Sequence, residues 1–151
     1  MIIRRAVPGD EESAAPAVLE FYTELVERNG MPFNAESAKR LMRYFTGNLP
    51  GGVAFVAWEG DRIIGFIAGV VLPWSLDVSE TIFEELAWFV SKTARKTTAG
   101  VRLYRQMEEY CRAVGAKAMT MGSFVASHGS VDAFYGRKGY KEVEKKWLKI
   151  L

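Results

Sequence analysis

Apolar residues along the chain change spacing several times, and each change marks an element. Ile2 to Ala6 reads as a short strand, followed by the turn Pro8-Gly9-Asp10, whose aspartate is suited to cap a helix. Val18, Phe21, Tyr22, Leu25 and Val26 recur at helical spacing until Asn29-Gly30 closes the segment. Asn34 is placed to cap a second helix, in which Ala38, Leu41, Met42 and Phe45 form one face before Gly47 and the Pro50-Gly51-Gly52 breaker.

Val53 to Trp58 and Ile63 to Val71 are β-rich runs joined by Glu59-Gly60-Asp61-Arg62, a connection with the glycine that a tight hairpin wants. A loop around Pro73 to Ser79 leads to a strand over Ile82 to Val90. Ala99 to Val114 is strongly amphipathic: Leu103, Met107, Tyr110, Cys111 and Val114 share one face, opposite Arg102, Arg105, Glu108, Glu109 and Arg112. Gly115 ends that helix. Lys117 to Phe124 is a further strand, Ser130 to Lys138 a short helix, and Tyr140 to Leu151 a last strand.

This order predicts a mixed α/β layer structure, with the crossover from Ile82 to Phe124 parallel and right-handed. Without repeats or linkers, residues 1–151 are expected to form a single domain.

Composition narrows the function classes. The chain has 151 residues, 49% apolar and 25% charged, enough for one buried core. Its 20 basic and 18 acidic side chains are interspersed, giving a net charge of +2 with no basic stripe, which argues against nucleic acid as partner. The longest apolar run, Ile63 to Trp74, holds about a dozen residues against the roughly 20 of a membrane span. The N-terminus lacks the basic-then-apolar order of a secretory signal, and one cysteine, Cys111, cannot form an internal disulfide. A cytoplasmic location without membrane attachment is the expectation.

The chemistry concentrates where a strand empties through a basic loop into a helix: Phe89-Val90, then Arg95-Lys96-Thr97-Thr98-Ala99-Gly100-Val101. Backbone N–H groups and the positive end of a helix dipole attract an anion there, and small residues let a diphosphate approach. Arg95 and Lys96 add charge, Thr97 and Thr98 hydroxyls. A solvated turn with ordinary capping residues has the same composition. A Walker-type loop fits less well, since Lys96-Thr97 lacks the preceding glycines.

Downstream stands Ala133-Phe134-Tyr135-Gly136-Arg137-Lys138-Gly139-Tyr140. With the Arg95 to Gly100 loop, this resembles the GNAT acyltransferases. In that family an Arg/Gln-x-x-Gly-x-Gly/Ala loop opens a long helix and binds the coenzyme A pyrophosphate, and an Ala-Leu-Tyr-x-x-x-Gly-Phe signature follows. The likeness extends over nearly the whole chain. Around Glu84 to Val90 and at the tyrosine-glycine-lysine ending it is similar to a subgroup common in phages and prophages. It implies the GNAT, or acyl-CoA N-acyltransferase, fold: a central mixed sheet of about six or seven strands flanked by about four helices. Two positions depart from the pattern. Thr98 replaces the first motif glycine, and His128 stands where many members have an asparagine that contacts the coenzyme.

The resemblance implies transfer of an acetyl or small acyl group from acetyl-CoA to a primary amine, without a metal. Tyr135 matches the tyrosine near the coenzyme sulfur, where its phenol would protonate the leaving thiolate; otherwise it is a core aromatic beside Phe134. Glu84 and Glu85 are candidates for the base. Adjacent strand residues point to opposite faces, so at most one meets the cleft. Oxyanion stabilisation is assigned to a backbone N–H near Phe89 or Val90. Coenzyme contacts fall to Phe89, Val90, Arg95, Lys96, Thr97, Thr98, Ala99, Gly100, Val101 and His128, although His128 also reads as a solvated turn residue. Phe83, Trp74 and Trp88 are candidates for the acceptor pocket. Cys111 reads as core, and no Cys/His/carboxylate spacing suggests a metal. Homodimers are common in the family, with Trp147 placed to join such a contact. The competing reading is a GNAT-like module that binds coenzyme or a protein partner without catalysis.

Overall fold

The structure, a computed structural model, describes residues 1–124 and 129–151, with the side chains of Arg28, Asn48 and Ser130 outside that description. Five strands form one sheet in the order β1-β2-β3-β4-β5: Ile2–Arg5, Gly52–Glu59, Arg62–Trp74, Asp77–Val90 and Ala118–Thr120. The first four are antiparallel neighbours, and β5 runs parallel to β4. Helices α1 (Asp10–Phe21), α2 (Ala35–Arg43), α3 (Ala99–Ala113) and α4 (Ser130–Arg137) complete the layers. π-helical turns, Tyr22–Val26 and Tyr44–Asn48, prolong α1 and α2.

The apolar run in β3 lacks alternation because both faces of the sheet are covered. Ala54, Val56, Ile63, Phe66, Ala68 and Phe89 pack with Ala14 and Ala17 of α1 and Met42 of α2. Val53, Phe55, Ile64, Ile67 and Phe83 pack instead with Leu103, Met107 and Cys111 of α3. The β2–β3 hairpin closes through Gly60-Asp61, with Glu59 opposite Arg62 and Gly60 at φ +61°. Asn34 caps α2 as expected, its side chain accepting the Ser37 N–H at 2.8 Å.

Four expectations are corrected. Asp10 does not cap α1, where Gly9 takes the N-cap position. Its carboxylate instead accepts two Arg4 bonds of 2.7 Å and the Val7 N–H at 2.9 Å, fastening β1 to α1. The loop around Pro73 to Ser79 is a turn of a longer hairpin, with Trp74 opposite Asp77. The fifth strand stops at Thr120 rather than Phe124.

The sheet therefore has five strands, not six or seven, among the described residues, because Tyr140 to Leu151 forms no strand. Alternation in that segment puts Val143, Trp147 and Leu151 on one side with Lys145 and Lys149, so neither side is an unbroken apolar face to bury.

Candidate active site

The site begins with a bulge. Ala68 pairs with Ala87 but Gly69 pairs with Glu85, so Leu86 is an extra residue in β4. One added residue reverses the in-out alternation of a strand. Trp88 consequently shares the α3 side of the sheet with Phe83, five positions earlier, and Glu85 lies on that side too. Gly69 permits the bulge, because a Cβ there would overlap the Glu84 carbonyl and the Phe83 ring. Glu84 points away and is exposed.

Beyond Glu84 opposite Thr120, β4 and β5 no longer pair. The strands part at this point, and Glu85 spans the gap: its Oε2 accepts the Gly122 N–H at 2.7 Å. Burial raises the Glu85 carboxyl to about 7, opposed by the Gly122 hydrogen bond. Its proton thus comes and goes near neutral pH.

Tyr135 of α4 enters from the other side and donates its hydroxyl proton to the Gly122 carbonyl at 2.8 Å. Burial first, then the negative charge of Glu85, pushes the phenol above its ordinary range, so it stays protonated. Aromatic rings fix it, with Tyr140 5.3 Å and Trp88 6.1 Å away between centroids. Trp88 also packs on Phe134, at 5.4 Å.

At the end of β4, Phe89 is buried on the α1 side, 5.7 Å from Phe21 between centroids. Val90 gives its carbonyl to Arg95 Nε at 3.0 Å. Both terminal nitrogens of Arg95 are held by Glu24, at 2.8 and 2.6 Å. Arg95 is thereby a brace between the loop and the helical extension of α1. Lys96, Thr97 and Thr98 are exposed at the entrance to α3. The Thr97 hydroxyl accepts the Ala99 N–H at 3.2 Å, and Arg102 N–H makes the bond to Thr98 O that opens the helix.

Gly100 and Val101 therefore present first-turn amides outward. A Cβ on Gly100 would meet Val90 Cγ2 at 3.5 Å, so the helix start sits close against the strand end. The Thr97 hydroxyl is spent within the loop, donating to the Ala94 carbonyl at 2.6 Å. Amides, the Lys96 ammonium and the Thr98 hydroxyl are the donor set that a diphosphate takes, and these residues fit that group. His128 lies outside the described residues.

The family model of the acetyltransferase (GNAT) family matches residues 18–140. The chain belongs to this family. GNAT proteins use acetyl-CoA as co-substrate. No curated protein matches the chain. Among solved structures it is similar to a probable acetyltransferase (TM-score 0.78, 20% identity, over 100% of this chain and 98% of that one). It is also similar to an aminoglycoside acetyltransferase from an uncultured soil metagenomic sample, solved with sisomicin (0.76, 15%, 99% and 95%). Ribosomal-protein-alanine N-acetyltransferase from Brucella melitensis biovar Abortus 2308 is a third likeness (0.73, 10%, 100% of each). At these identities the likeness is one of fold.

The GNAT frame does not gather the three aromatics expected at an acceptor pocket. Phe83 is fully buried, Trp88 belongs to the Tyr135 cluster, and Trp74 sits at the tip of the β3–β4 hairpin. Glu24, Gly122 and the bulge escaped the sequence reading; a glycine inside a strand run, Gly69, was the available signal for the bulge. Cys111 is buried in the core with its thiol pushed up to about 11, chiefly by burial. Among the described residues no group of three or more His, Cys, Asp and Glu side chains could hold a metal. No helix among them is long and apolar enough to cross a membrane.

Proposed function

We propose that this protein is an N-acyltransferase that moves an acetyl or small acyl group from acetyl-CoA to a primary amine by direct attack within a ternary complex. The observation that carries this reading is the meeting of Glu85 and Tyr135 at Gly122, in the gap between β4 and β5. One group titrating near neutrality and one kept protonated are the pair such a transfer needs.

In this reading the coenzyme supplies an activated acyl carbon on a thiol leaving group. The α3 amides, Lys96 and Thr98 hold its diphosphate, and the edge of β4 that β5 leaves takes the pantetheine arm. A backbone N–H near Phe89 or Val90 stabilises the carbonyl oxygen under attack. Glu85 accepts the amine proton, directly or through one water, as the C–N bond forms. Tyr135 gives its proton to sulfur as the C–S bond breaks. Return of the proton from Glu85 to Tyr135 through solvent restores both groups. Glu84, exposed on the opposite side, has no part in this reading.

The reading includes a reducing compartment, which the lone thiol of Cys111 suits, and a homodimer joined through the exposed C-terminal segment. One observation favours the competing module reading: the guanidinium of Arg95 is already committed to Glu24. Turnover separates the two. Tyr135→Phe is expected to lower kcat about 10²-fold with acetyl-CoA affinity unchanged; coenzyme binding with no turnover of any amine in the unaltered protein refutes the enzyme.

A further inference from the structure

The backbone ladder between β4 and β5 ends at Thr120, yet the chain bonds to β4 again two residues later. That second link is not a ladder bond. The Gly122 N–H donates to a side chain, Glu85, while the Gly122 carbonyl accepts from Tyr135. One backbone residue therefore touches both candidate proton-transfer groups, at 2.7 and 2.8 Å.

We propose that Gly122 is a positioning residue of the active site: its N–H aims the Glu85 carboxylate and its C=O parks the Tyr135 hydroxyl, fixing acid and base across the β4–β5 gap. This rests on the reading of Glu85 and Tyr135 as base and acid.

Two physical points favour a dedicated arrangement over incidental packing. A half-buried carboxylate with one strong N–H donor is held in rotation about its last side-chain bond, as a proton acceptor must be. A Cβ on residue 122 would lie 3.4 Å from Glu85 Oε2, in van der Waals contact, so the Gly122 backbone lies directly against the carboxylate and a methyl group still fits.

The other titratable groups around the pair are Asp132 on α4, Tyr104 on α3 and Tyr140 beyond α4, with Glu84 adjacent on β4. The cation on this cluster, the Lys138 ammonium, lies 5.2 Å over the Tyr104 ring and 5.8 Å over Phe134. It plays no part in the shift of Glu85, which burial raises and the Gly122 hydrogen bond opposes. Among the described residues the Gly122 amide is thus the group that favours the ionised form of Glu85.

The test uses the full ¹⁵N-labelled chain. The Gly122 amide proton is expected downfield and titrating with Glu85, with a midpoint of about 7. Glu85→Gln should abolish that titration, and Tyr135→Phe should leave it in place. In kinetics, Gly122→Ala keeps the donor and should retain the wild-type pH profile. Gly122→Pro removes the donor; it should move the acid limb of kcat/KM to higher pH and lower kcat about 10²-fold, leaving KM for acetyl-CoA unchanged.

An amide that does not titrate with Glu85 overturns the inference even if the proline variant fails to fold. A folded proline variant with an unaltered profile does the same. Full activity in both Glu85→Gln and Tyr135→Phe would instead remove the acid–base reading, and the inference with it.

Discussion

Replacing Glu85 with glutamine takes one ionisation out of a half-buried site while keeping a carbonyl oxygen for the Gly122 N–H. Burial raises the wild-type carboxyl from 4.5 to about 7. The gap between those values, at about 1.36 kcal/mol per pH unit, sets an upper bound of about 3 kcal/mol on the cost of ionising Glu85 in the fold. The unfolded chain releases this proton near the ordinary carboxylate value and the folded chain only near neutrality, so the folded state holds the extra proton between them. Wild-type stability therefore falls as pH rises through that window and levels off above it. Glutamine has no proton to release. Urea unfolding across the window should show the variant equal to wild type at the acid end, and more stable by up to about 3 kcal/mol above neutrality. Two parallel curves would refute the burial of this carboxyl.

Gly69→Ala should cost stability and activity together, because its Cβ meets the Glu84 carbonyl and Phe83, and any relief displaces the bulge that turns Glu85 inward. A thermal midpoint lowered by several degrees, as about 1 kcal/mol or more requires in a chain of this length, checks the first part; an unaltered kcat would contradict the second. Trp147, 93% exposed near the chain end, should lie in the contact of a dimer. Light scattering should show Trp147→Asp shifting dimer to monomer, and a mass that does not depend on this residue would place any contact elsewhere.

Much of the fold was legible because the signals are local. The Gly60-Asp61 turn, the apolar stripe of α3 and the Asn34 cap each depend on residues a few positions apart, and the parallel crossover follows from the element order. Tyr135 was legible through its motif, and the two-residue period already required Glu84 and Glu85 to diverge. Choosing between them needed the bulge, which exists only in the register with β3. Arg95 illustrates a similar limit: its charge is evident in sequence, but its partner Glu24 lies 71 residues away. The C-terminal strand was expected from apolar residues that, interleaved with lysine and glutamate, find no face of the sheet to cover.

The central claim, an acyltransferase built around acetyl-CoA, is most directly tested by calorimetric titration of the protein with acetyl-CoA, repeated on an Arg95→Ala/Lys96→Ala variant. The account predicts micromolar or tighter binding, about 8 kcal/mol, lost in the variant through removal of the loop's brace and its exposed cation. Absence of binding to the unaltered protein would contradict it.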